Sequence, residues 1–176
     1  MTRIQTRAEK IRLLVLDVDG VMTDGSLFYD NQGQEYKAFN ARDGHGIRML
    51  QYGGIRVAIL TGRRSELVSY RAANLDIPDE LVFQGYRDKR PAFAELLQRT
   101  GLQAGQIAYL GDDVVDLPVM MQVGLAIAVA DAHPFVQQHA HWITGQGGGR
   151  GAVREVCERL LEAQGRLAAM LQDYLK

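Results

Sequence analysis

Leu13-Leu14-Val15-Leu16-Asp17-Val18-Asp19-Gly20-Val21 is an apolar run of strand-forming residues that ends in two carboxylates one residue apart. A strand buried on both faces reads as a continuous apolar run. In an open parallel sheet the functional groups lie just beyond the carboxyl end of such a strand. Two neighbouring carboxylates repel each other unless a cation sits between them. The stretch therefore predicts an inner parallel strand leading into a divalent-metal site, with one carboxylate left over for chemistry.

Outward from it, strand-like runs alternate with helix-like ones. Strands are expected at Leu13–Leu16, Val57–Leu60, Leu81–Phe83, Ile107–Leu110, Leu125–Val129 and Trp142–Thr144. Helices are expected at Gly46–Tyr52, Ser65–Leu75, Lys89–Thr100, Val114–Gln122, Pro134–His139 and Ala152–Gln164. This alternation predicts an α/β fold, a three-layer Rossmann-like parallel sheet with helices on both faces. One segment breaks the rhythm. Leu27 to Phe39 has two extended stretches around a polar turn containing Gly33, which reads as an inserted β-hairpin at about 26–39. No linker divides the chain, so residues 1–176 are expected to form one domain. Residues 146–176 read as a C-terminal arm, flexible around Gly147–Gly151, with the part after Gly165 either helical or partly disordered.

Composition narrows the function classes. The 176 residues are 47% hydrophobic and 23% charged with a net charge of -1, the profile of an ordinary globular domain. Neither nucleic acid nor a membrane is an expected partner, because no basic excess and no span-length apolar run exists. Met1 to Arg12 is polar and basic without an apolar centre, so it does not read as a signal peptide. One cysteine, Cys157, fits a reducing cytoplasm, and its place in an amphipathic helix argues against a catalytic thiol.

Four polar groupings fall where strands should end: Asp17-Val18-Asp19-Gly20, Thr61-Gly62-Arg63, Asp88-Lys89, and Gly111-Asp112-Asp113 with Asp116. Each alone has a plain structural reading as a turn, a solvated lysine or a helix cap. Together, in a parallel sheet, they share one edge and suit phosphoryl transfer. A phosphate monoester resists attack by a carboxylate until its charge is neutralised. Mg²⁺ takes oxygen ligands, and Asp17 and Asp112 can supply them with help from the Asp19 backbone carbonyl. Lys89 and Thr61 can hold phosphate oxygens, and Asp19 can protonate the leaving oxygen and then activate water. An aspartate nucleophile would pass through an aspartyl phosphate.

In the order of these groupings the chain resembles the haloacid dehalogenase superfamily of phosphatases. The resemblance implies Asp17 as nucleophile, Asp19 as general acid/base, Thr61 and Lys89 as phosphate binders, and Mg²⁺ on Asp17, the Asp19 carbonyl and Asp112. Neither the gap from Asp19 to Thr61 nor that from Thr61 to Lys89 has room for a full cap domain, so the chain resembles capless members. Longer matching runs are Lys37-Ala38-Phe39-Asn40-Ala41-Arg42-Asp43-Gly44-His45-Gly46-Ile47-Arg48, Ala128 to Pro134 and Gly147 to Glu155. They are similar to capless phosphatases of an eight-carbon 3-deoxy sugar acid, an octulosonate 8-phosphate used in the lipopolysaccharide core. By that resemblance, Asp19, Asn40, Ala41, Arg42, Asp43, Gly44, Arg48, Arg63, Arg71, Lys89 and Asp113 bind the substrate. It also implies a cytoplasmic homotetramer. Arginines suit the substrate's carboxylate because their planar fork donates two parallel hydrogen bonds. The alternatives are a nonulosonate 9-phosphate phosphatase and, from other classes, a phospho-acceptor signalling domain or a non-catalytic oligomerisation module. Asp17 and Asp19 on one strand, with a second acidic cluster at Asp112, disfavour the signalling reading.

Overall fold

The computed structural model describes residues 3–176. A short helix α1 (Arg3–Ala8) precedes β1 (Leu13–Leu16), the hairpin strands β2 (Phe28–Tyr29) and β3 (Glu35–Tyr36), then α2 (Ala41–Tyr52) and β4 (Arg56–Thr61). There follow α3 (Glu66–Asn74), β5 (Val82–Gln84), α4 (Arg90–Thr100), β6 (Ile107–Gly111), α5 (Leu117–Met120), β7 (Leu125–Ala128), α6 (Pro134–His139), β8 (Trp142–Ile143), α7 (Ala152–Ala163) and α8 (Leu167–Asp173). Six strands form one parallel sheet in the order β5-β4-β1-β6-β7-β8. The chain adds β4 and β5 on one side of β1 and then crosses to add β6, β7 and β8 on the other. The switch point is thus the carboxyl end of β1, where a ligand crevice opens in such sheets. Right-handed crossovers put α2 and α3 on one face and α4, α5 and α6 on the other. All four residues of β1 are fully buried, which is why the sequence there tolerates no polar side chain before Asp17.

Register positions the site. Leu16 stands level with Ile59 of β4 and Leu110 of β6, and the Asp17 amide continues the ladder to the Leu110 carbonyl at 3.1 Å. Asp17 therefore leaves the sheet next to Gly111 and Asp112. The hairpin forms where expected. Its turn is closed by Asp30 Oδ1, which accepts from the amides of Gln32 (2.9 Å) and Gln34 (2.8 Å).

Three expectations are corrected. Helix α2 begins at Ala41, five residues before the expected start at Gly46, because Asn40 caps it there, and its two glycines are close-approach points. A Cβ on Gly44 would lie 2.4 Å from the Arg71 guanidinium, and one on Gly46 would lie 3.0 Å from Arg154 Cα. The helix expected at Val114–Gln122 is a 3₁₀ turn (Val114–Asp116) followed by the short α5, since Asp116 turns its carboxylate back to the amides of Asp112 and Asp113. The segment around Gly147–Gly151 is no flexible arm. Gly148 packs so tightly that a Cβ would meet the Gly20 carbonyl at 1.8 Å, while the Gly149 amide donates to Val21 O at 2.9 Å. Beyond it the chain is helical through α7 and α8. Cys157 is fully buried in α7, and burial pushes its thiol pKa up, so it is no nucleophile. Among the described residues no helix is long and apolar enough to cross a membrane.

Candidate active site

The carboxyl ends of β1, β4 and β6 and the start of α4 bring Asp17, Thr61, Asp112 and Lys89 together at the switch point. Lys89 is the centre of the charge arrangement. Its side chain is 1% exposed, and its ammonium lies 3.0 Å from Asp17 Oδ1 and 2.6 Å from Asp116 Oδ1. A buried lysine is costly unless paired, and two carboxylates meet that requirement here. Burial works against its charge, but Asp17 and Asp116 outweigh burial and hold its pKa above the ordinary value.

Asp116 organises the rest. One of its oxygens accepts from Lys89 and from the Tyr109 hydroxyl at 2.6 Å, the other from the amides of Asp112 (3.0 Å) and Asp113 (3.2 Å). Its hydrogen-bonding capacity is filled, so it shapes the loop and orients Lys89. Asp17 takes the Val18 amide (2.7 Å) and Lys89 on one oxygen, Oδ1. Asp112 differs from both: its Oδ1 is buried with no hydrogen-bond partner.

One carboxylate oxygen from each of Asp17, Asp112 and Asp116 lies within 4.8 Å of the others. Burial, then the Asp116 charge, pushes the Asp17 pKa up to about 7, with Lys89 opposing. Burial, then Asp116 and Asp17, pushes Asp112 up to about 8. A hard divalent cation fits this set. It would relieve the repulsion and occupy the orphaned Asp112 oxygen, with Asp17 as the second ligand.

Folded Asp17 and Asp112 keep protons that the unfolded chain gives up near 3.8. The stability from this source is complete at low pH and is lost as pH rises through the folded values of about 7 and 8. In chelator, the melting temperature should therefore fall from about pH 5 to about pH 8, and Asp112→Asn should flatten that slope. A divalent cation should restore stability more at the higher pH, because ligation needs ionised carboxylates. Thermal melts with and without cation check this. A wild-type melting temperature that rises over the same range in chelator would contradict it.

The remaining expected residues separate into groups. Thr61 is buried at the end of β4. Asp19, about one-fifth exposed, is ion-paired to Lys37. Arg63 donates to Glu35 at 2.6 Å and to the Tyr29 hydroxyl at 2.9 Å, tying the β4 loop to the hairpin. Asn40 caps α2, its Oδ1 accepting from the amides of Arg42 (2.9 Å) and Asp43 (3.4 Å), while its Nδ2 donates to Gly149 O at 3.0 Å. Ala41 and Arg42 are exposed at the start of α2.

Four further expected substrate contacts also have partners within the chain. Asp43 is buried, and its Oδ1 accepts from the Arg154 amide at 2.8 Å, satisfying an orphan donor in the first turn of α7. Arg48 donates to Asn74 O at 2.5 Å and pairs with Asp76 at 3.4 Å, so it is bound to the end of α3. Arg71 donates to Asn40 O (3.3 Å) and Asn74 Oδ1 (3.1 Å) and fills the space beside Gly44. Asp113 is exposed and caps the turn after β6, accepting from Val114 N at 2.7 Å. Sequence reasoning missed the organising role of Asp116 and Tyr109, and it missed Lys37. A tyrosine in the otherwise apolar β6 and a lysine in a hairpin were the available signals.

Residues 80–154 match the model of the haloacid dehalogenase-like hydrolases. The chain is 52% identical to the 3-deoxy-D-manno-octulosonate 8-phosphate phosphatase of Salmonella typhi, over 94% of this chain and 87% of the relative. It is similar to the crystal structure of the same-named phosphatase from Yersinia pestis, with a TM-score of 0.92, 54% identity and coverage of 94% and 89% of the two chains. It also matches the Moraxella catarrhalis phosphatase in complex with magnesium, phosphate and KDO. That TM-score is 0.95 at 38% identity, covering 99% of each chain.

Proposed function

This chain belongs to the haloacid dehalogenase-like hydrolases, in the family of the 3-deoxy-D-manno-octulosonate 8-phosphate phosphatases, and from that premise we propose that it hydrolyses that sugar-acid phosphate with Mg²⁺. The observation that carries the reading is a buried lysine 3.0 Å from Asp17, beside an Asp112 oxygen that has no protein partner. In this reading the Asp17 carboxylate attacks phosphorus, and Asp19 gives its proton to the departing sugar oxygen. Asp19 then takes a proton from water, which attacks the phospho-Asp17, releases phosphate and restores the carboxylate. Lys89 and Thr61 hold the phosphoryl oxygens through both displacements. Mg²⁺ would be held by Asp17, the Asp19 carbonyl and Asp112, and it supplies charge neutralisation of the phosphoryl group.

The substrate's carboxylate falls to Arg42, exposed at the start of α2, and Arg63, half-exposed in the loop after β4, while the equally exposed Arg48 is held at the end of α3. Arg48 and Arg71 join them only by leaving Asn74, Asp76 and Asn40. A homotetramer built through the hairpins, working in the cytoplasm on a lipopolysaccharide-core precursor, belongs to the same proposal. It is supported by the exposed Leu27, Phe28, Tyr29 and Tyr36, an apolar surface of the kind interfaces cover.

The test is phosphate release from the octulosonate 8-phosphate, a nonulosonate 9-phosphate and a hexose phosphate, each with Mg²⁺ and with chelator. We expect kcat/KM to favour the octulosonate ester by about tenfold or more and to vanish in chelator. A preference for the nonulosonate keeps the chemistry and changes the substrate. Full turnover in chelator would overturn the mechanism.

A further inference from the structure

Lys37 lies on the inserted hairpin side of the site, just past β3, and none of the roles above includes it. Its side chain is 2% exposed. Its ammonium pairs with the Asp19 carboxylate and lies 3.4 Å from Glu35 Oε1. Glu35 Oε1 is in turn 2.6 Å from the Arg63 guanidinium, which also donates to the Tyr29 hydroxyl. Charges therefore alternate from Asp19 through Lys37 and Glu35 to Arg63, linking the loop after β1, the hairpin and the loop after β4. A lysine is a point charge on a flexible stem and by itself fixes little. Anchored at a second point by Glu35, it holds one location.

We propose that Lys37 is the positioning residue of the Asp19 carboxylate: the hairpin's buried cation sets where the leaving oxygen meets its proton donor. The proposal rests on the reading of Asp19 as general acid. Proton delivery has a narrow geometric tolerance, since a reacting group displaced by about 1 Å costs on the order of a hundredfold in rate. A capless enzyme has no second domain to close on this aspartate. The hairpin supplies the constraint from within the chain.

The test uses two leaving groups. A primary alkyl phosphate, such as the octulosonate ester, needs a proton on its departing alkoxide. p-Nitrophenyl phosphate does not, because its phenolate leaves unaided. kcat/KM reports the steps up to departure of the leaving group, so it isolates proton donation from the later attack of water. Lys37→Met should lower kcat/KM on the alkyl ester by about a hundredfold while lowering it on the aryl ester by less than about threefold. Lys37→Arg, which keeps the cation, should recover most of the alkyl activity. Circular dichroism and melting temperature identify a variant that fails to fold, and Glu35→Gln then provides a milder loosening with the same expected selectivity. Equal losses on both esters, or no loss on either, would overturn the proposal. Wild-type protein inactive on both esters with Mg²⁺ present would instead overturn the phosphatase reading itself.

Discussion

Asp17→Asn should retain less than about a thousandth of the wild-type phosphate release while folding as well as the wild type. Asparagine copies the shape of aspartate, so the buried site keeps its packing. An amide is a poor nucleophile and a weak ligand for a hard cation, so the proposed attacking group and one cation ligand are lost together. The same substitution removes one of three carboxylates crowded within 4.8 Å. Lys89 keeps Asp116 as its partner at 2.6 Å. The variant's melting temperature in chelator near pH 8 should therefore equal or exceed that of the wild type, while its gain on adding Mg²⁺ shrinks. Phosphate release and paired thermal melts read both effects. Turnover within about tenfold of wild type would remove Asp17 as the nucleophile.

Asp116→Ala should cause the largest loss of stability. The side chain is fully buried and accepts from Lys89, the Tyr109 hydroxyl and two backbone amides. Truncation leaves the buried Tyr109 hydroxyl without its acceptor, and the half-buried amides of Asp112 and Asp113 without theirs. Breaking a buried pair of this kind costs about 3–5 kcal/mol. For a chain of this size that corresponds to a fall of roughly 10 °C in melting temperature. Relief of repulsion on Asp17 and Asp112 offsets part of the loss, and this offset should grow with pH. Activity should fall as well, because the Asp112 loop and Lys89 lose the group that fixes both. Denaturant unfolding at two pH values checks the stability. A loss under about 1 kcal/mol would mean that the loop holds its shape without Asp116.

The sheet was legible because its strands are inner ones. Leu13–Leu16 and Ile107–Leu110 are buried on both faces, so their apolar runs have no alternative use. Asp17 and Asp112 were legible for a related reason, since each stands just beyond such a run, whereas Lys89, at the start of α4, was legible only through its order among the other groupings. Helix α2 was misread at its start because Gly44 and Gly46 are explained only by what packs against them, Arg71 and Arg154, which are distant in sequence. The bond from Asp43 to the first turn of α7 was hidden likewise, since nothing local says that an acid in α2 will cap α7. Lys37 was invisible because an alternating hairpin strand normally points such a residue at water. Its burial exists only through Asp19 and Glu35.

The glycine wall against the Gly20–Asp24 turn has a consequence for the order in which the protein becomes active during its own synthesis. Asp24 and its partner Arg150 are separated by 126 residues, and Gly148 and Gly149 close on the same turn. A nascent chain can expose all eight strands before that wall has left the ribosome. Contacts so distant along the chain form late. The turn carrying Asp19 is therefore among the last parts of the site to set, and the growing polypeptide carries no finished catalytic centre until residues 148–150 have been made and have folded back.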